Sequence, residues 1–179
     1  DESKNFFILS DTEVLPDLDE YDLIIGLSLI NFLEDIPSFL KQLKNILTKD
    51  GLLLTSFFSE NNILELKDLF SRVELNIYEG ISQRFMPIID IREVGDLINN
   101  IGFFDTVITR EKLEYKYENF NEMVSHLRLM AYTNFLDVKN NKFITKRFIN
   151  SLVNDFEKNK TNSLFKLSFD ILIINSWNK

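Results

Sequence analysis

The sequence predicts an α/β fold, a mostly parallel sheet whose strands are joined by helices. Three adjacent stretches predict it. Leu23-Ile24-Ile25 is an unbroken apolar run that gives way to the small residues Gly26 and Ser28, the pattern of a strand buried on both faces that ends at an opening. Phe39, Leu40, Leu43, Ile46 and Leu47 then share one helical face, with Lys41 and Lys44 turned away from it. Leu52 to Leu54 is a second apolar run that follows at once. Strand, helix and strand with tight connections form a βαβ unit, which requires parallel strands and a right-handed crossover.

The other elements follow in chain order. Asp1 to Asn5 is polar, and Phe6 to Leu9 is a minimal apolar strand followed by the acidic turn Asp11-Thr12-Glu13. In the central unit, Asp35 is placed to cap the helix with Pro37 in its first turn, and Gly51 stands where a left-handed residue would close it. After Phe58, Asn61 or Asn62 is expected to cap a helix carrying Ile63, Leu66, Leu69, Phe70 and Val73 on one face. Tyr78 to Ile89 breaks the periodicity and reads as a functional loop. Asp90 with Glu93 forms a capping box for a helix through Val94, Leu97, Ile98 and Ile101, which Gly102 stops.

Phe103 to Thr109 and Leu113 to Tyr117 read as strand pieces, and the segments around Met123 and Leu152 as amphipathic helices separated by a turn at Asn140-Asn141-Lys142. Phe165, Leu167, Phe169, Ile171 and Ile173 alternate, which predicts a long final strand with one strongly apolar face. The length of 179 residues suits one domain over 1–179.

Composition narrows the function. A formal net charge of −8 argues against a nucleic-acid surface, since phosphate binding needs clustered Lys and Arg, and the one basic candidate stretch is Lys139 to Arg147. Apolar runs are interrupted well before the ~20 residues that a membrane span requires. No cysteine and no recognisable signal peptide make a cytoplasmic address the expectation. With one histidine, His126, and no cysteine, neither a zinc site nor a nucleophilic triad is expected, so the metal prediction is none. The five glycines are scattered, so there is no phosphate-cradling loop.

In an open parallel sheet, ligands bind beyond the carboxyl ends of the strands. Those positions are Gly26, Leu27, Ser28, Asn31 and Phe32 after the first central strand, and Phe58 to Glu60 after the second. Asp11 and Glu13 end an earlier strand, where a carboxylate can accept hydrogen bonds from an adenine amino group or a ribose, or can merely be an acidic turn. A flavodoxin-like or other doubly wound domain fits the same spacing.

Several motifs narrow this further: Asp11-Thr12-Glu13-Val14-Leu15-Pro16, Tyr21 to Ile25, Asp35-Ile36-Pro37 and Leu47-Thr48-Lys49-Asp50-Gly51. Others extend past the generic core, among them Gly80 to Pro87, Asp90 to Gly95, Leu127 to Met130 and Phe169 to Trp177. On them the chain resembles class I S-adenosylmethionine-dependent methyltransferases. Within that class it resembles the branch holding the biotin-pathway malonyl-carrier-protein methyltransferase and the methyltransferase-like complex I assembly factor.

The resemblance implies a partial Rossmann-like methyltransferase fold with an antiparallel C-terminal strand. The family's first two strands, its Gly-rich turn and the acidic residue after it would lie upstream of Asp1. It implies S-adenosylmethionine as cofactor, with Asp11, Thr12, Glu13, Gly26, Leu27, Ser28 and Asn31 on its side and Phe32, Arg84 and Arg128 on the substrate side. The implied substrate is a small acid, a carrier-protein thioester or a protein. Asn31-Phe32 and Ser59-Glu60 depart from the branch's usual residues.

Without the upstream turn, the chain alone is expected to be weak or inactive, with a non-catalytic assembly or interaction module as the alternative. The absent neighbour would also leave an apolar edge at Leu23 to Ile25, to be covered by Phe6 to Leu9 or by a second copy in a homo-oligomer.

Overall fold

The computed structural model describes Leu15 and residues 20–28, 33–82, Phe85, 88–130 and 144–179. Among these lie β1 (Tyr21–Leu27), α1 (Ile36–Asn45), β2 (Leu47–Phe58), α2 (Leu64–Tyr78), α3 (Ile91–Ile101), β3 (Phe104–Tyr117), α4 (Phe120–Leu129), α5 (Lys146–Lys158) and β4 (Phe165–Asn178). The strands form one mixed sheet in the order β1-β2-β4-β3. β1 and β2 are parallel, with Leu23 opposite Leu52, Ile25 opposite Leu54 and Leu27 opposite Ser56. The strand–helix–strand reading with parallel strands therefore holds, but β1 is not buried on both faces: it ends the sheet order among the described strands, and Leu23 and Ile25 are exposed. Phe6 to Leu9 and the Asn140-Asn141-Lys142 turn lie outside the described residues.

The chain divides into two compact units, the first made of 1–57, 89–110 and 172–179 and the second of 58–88 and 111–171. The core of the first joins Phe39, Leu40 and Leu43 of α1 to Leu53 and Phe57 of β2, Val94 and Ile98 of α3, and Leu172 and Ile174 of β4. Asp35 caps α1 as expected, accepting from the Ser38 N–H at 3.0 Å and from its hydroxyl at 2.6 Å. Ser38 Oγ thereby satisfies itself while its N–H leaves the set of unpaired first-turn donors. Asn178 fastens the exit of α1, donating to Leu47 O at 2.8 Å and accepting from Lys44 Nζ at 2.6 Å.

Gly51 does not close α1. The helix ends at Asn45 with Ile46 as its C-cap, and the left-handed residue is Asp50, with φ 63°. These residues form an irregularity where the β1–β2 register shifts between Tyr21 and Leu23. Glycine is needed at 51 for space, because a Cβ there would come within 2.9 Å of Thr48 O. The α3 capping box is present as predicted, and Gly102 ends that helix with φ 93°.

The core of the second unit is rich in Phe, where 58, 148, 156, 165 and 169 all contribute. Phe156 and Phe165 stack at a centroid separation of 4.5 Å, and Tyr78 stacks on Phe148 at 5.8 Å. α2 packs on α5, and α5 on α4. Neither Asn61 nor Asn62 caps α2: its N-cap is the buried, left-handed Ile63 (φ 51°), with no side-chain hydrogen bond. β3 is one continuous strand rather than two pieces, because its charged middle, Arg110 to Lys112, lies on an edge strand where these side chains stay exposed. The apolar face of β4 also changes phase. Phe165, Leu167 and Phe169 are buried, but further on Leu172 and Ile174 are buried while Ile171 and Ile173 are half-buried.

Candidate functional site at the carboxyl end of β1

Within the first unit, β1 ends at Leu27 and the chain turns at Ser28 in a left-handed conformation (φ 53°). The Ser28 N–H donates to Ser56 Oγ at 3.2 Å, which ties the turn to the neighbouring strand. Two residues earlier, the buried Thr55 hydroxyl donates to the Gly26 carbonyl at 2.8 Å. A Cβ on residue 26 would stand 3.0 Å from that hydroxyl oxygen, so the absence of a side chain lets the two strands close up at this point. Leu27, by contrast, is 75% exposed.

The rim so formed offers main-chain polar groups and an apolar side chain, and Gly26, Leu27 and Ser28 carry no charged group. The chemistry of such a surface is that of positioning rather than proton exchange. These three predicted residues are brought together by the structure. Asp11, Thr12, Glu13, Asn31, Phe32 and Arg84 lie outside the described residues. Arg128 is in the second unit, exposed in the last turn of α4.

Of the rim residues expected after β2, Phe58 and Ser59 are buried in the second unit, and Ser59 belongs to a polar cluster that the sequence reading did not foresee. The Ser59 hydroxyl donates to Asp170 Oδ2, and the Ser59 N–H donates to Asp170 O at 2.8 Å. Asp170 N–H donates to Asn62 Oδ1 at 3.0 Å. All three residues are buried. Beside them, the Glu65 carboxylate takes the Ser168 N–H at 3.0 Å and its hydroxyl at 2.6 Å. These bonds fasten the β2–α2 turn to β4 and satisfy groups that would be costly if buried alone. The available signal was Asp170 itself, a charge inside the apolar run Phe169 to Ile174.

His126 is in α4, with Nδ1 2.5 Å from the Tyr117 hydroxyl and its ring 4.8 Å from that of Tyr115. The Tyr117 phenol is pushed up to about 12, first by burial and then by the charges of Tyr115 and Glu122. Its surroundings are those of a structural histidine. Among the described residues no group of three His, Cys, Asp or Glu side chains is arranged to hold a metal ion, and no helix is long and apolar enough to cross a membrane.

No protein-family model matches the chain. Its sequence is similar to the arginine-hydroxylase NDUFAF5, mitochondrial, of Dictyostelium discoideum, at 24% identity over 87% of this chain and 36% of that protein. It is also similar to the malonyl-[acyl-carrier protein] O-methyltransferase of Gallionella capsiferriformans, at 21% identity over 95% of this chain and 57% of the relative. The chain thus spans less than two thirds of either relative's length. Among solved structures, an inferred methyltransferase of Bacillus halodurans superposes with a TM-score of 0.56, 13% identity, and coverage of 96% of this chain and 76% of that one. The chain is thus a homologue of proteins named NDUFAF5 and malonyl-[acyl-carrier protein] O-methyltransferase, and it carries the Rossmann-like α/β fold of the methyltransferase structure on which it superposes.

Proposed function

We propose that the protein acts as an S-adenosylmethionine-dependent methyltransferase-like protein, with this chain contributing the carboxyl-end turns that hold the methionine side of the cofactor. The observation that carries this reading is the parallel β1–β2 pair ending at Gly26, Leu27 and Ser28, the position where open α/β sheets bind ligands. When bound, the cofactor supplies an electrophilic sulfonium methyl group. The exposed Leu27 and the main chain around it suit the apolar stem of its methionine. Asn31 extends that side, Asp11, Thr12 and Glu13 take the adenosine, and Phe32 belongs to the substrate side. The substrate is a small acid, a carrier-protein thioester or a protein side chain, and the compartment is the cytoplasm.

Titration calorimetry of the chain with S-adenosylmethionine tests this. Micromolar binding that Leu27→Glu weakens at least tenfold is expected, and silence at millimolar cofactor overturns it. Silence would leave a non-catalytic interaction or assembly module. The observation favouring that second reading is the row of exposed apolar side chains on β1, where Leu23 is 50% and Ile25 56% exposed. In that reading the edge is covered by a partner protein or a second copy of the chain.

A further inference from the structure

We propose that the second unit contains a binding site for a small amphiphilic acid, an aliphatic chain ending in a carboxylate. The site is a cavity of about 630 Å³ lined by α2, α4 and α5, a size typical of small-molecule sites. Its walls are apolar, with Phe70 from α2, Val124 from α4, and Ile149 and Leu152 from α5. Its polar groups come from one helix. Asn121, Ser125 and Arg128 stand at i, i+4 and i+7, so they form a single line along α4.

Charge decides what such a cavity would select. Arg128 is the one charged side chain among the described lining residues, and it makes no ion pair among the described residues. An apolar tail gains by leaving water, and a guanidinium at one end takes a carboxylate through two parallel hydrogen bonds. Asn121 and Ser125 add hydrogen-bonding groups along the same line. A neutral head forgoes the ionic contact, and a cationic one is repelled. All lining residues belong to the second unit, and the inference does not depend on cofactor binding at β1.

The full chain is titrated calorimetrically with decanoate and decylamine below their micelle concentrations and with decanol below its solubility limit. Decanoate is expected to bind saturably at one site, at least tenfold more tightly than decylamine. Arg128→Gln should lower decanoate affinity about tenfold, to the level of decanol, and leave decanol unchanged. Val124→Trp, with its fold checked by circular dichroism, should abolish binding of both by filling the cavity. Equal binding of decanoate and decylamine overturns the proposal. So does unchanged decanoate affinity in Arg128→Gln, or no saturable decanoate binding at millimolar concentration.

Discussion

Gly51 and Gly102 look alike in the sequence, each just past a helical pattern, yet they do different work. Gly102 is the left-handed residue that ends α3, a conformation that costs a residue with a Cβ about 1–2 kcal/mol. Gly51 has no such backbone, and its constraint is the Thr48 carbonyl. That contact exists only because the β1–β2 register shifts there, a property of the folded pair that no local pattern reveals. Urea denaturation should therefore separate them. Gly102→Ala is expected to lose about 1–2 kcal/mol, most of which Gly102→Asn recovers because Asn tolerates the left-handed region. At position 51, Asn should be at least as harmful as Ala.

Among the elements, helix starts were legible where their chemistry is local. Asp35 with Ser38, and Asp90 with Glu93, complete their bonds within one turn, and both caps form as the sequence suggests. α2 was not legible, because Asn62 spends its side-chain oxygen on Asp170, far along the chain, and the helix begins from Ile63 instead. The strands show the same division. Leu52 to Leu54 announced β2, but the change of buried face along β4 follows from the two cores on which that strand packs. Chemical denaturation of two variants tests the α2 assignment. Asn62→Ala should cost about 1–3 kcal/mol, by stranding the buried Asp170 N–H. Asn61→Ala, at a surface position, should stay within about 0.5 kcal/mol. The reverse order would restore Asn61 as the cap.

For the molecule as a whole, the α/β class and the parallel pair were legible because each rests on runs of residues within one βαβ unit, and the methyltransferase resemblance because its motifs are short contiguous stretches along the chain. The cavity with its line from Asn121 to Arg128 was not, since it needs three helices brought together from distant parts of the chain. Of the cofactor side, Gly26, Leu27 and Ser28 could be placed from the apolar run that precedes them, whereas the clasp of Thr55 on Gly26 depends on register. The functional reading rests on β1 and β2 running side by side in the same direction. A chain free of cysteine allows this to be measured directly with introduced pairs. Leu27→Cys with Ser56→Cys should oxidise to an intrachain disulfide that makes the thiol-blocked protein run faster on a non-reducing denaturing gel than its reduced form, since neighbouring strands bring Cα atoms to about 5 Å, within disulfide reach. Leu27→Cys with Leu52→Cys should remain reduced. Crosslinking of the second pair in preference to the first would place the strands antiparallel and contradict the methyltransferase reading.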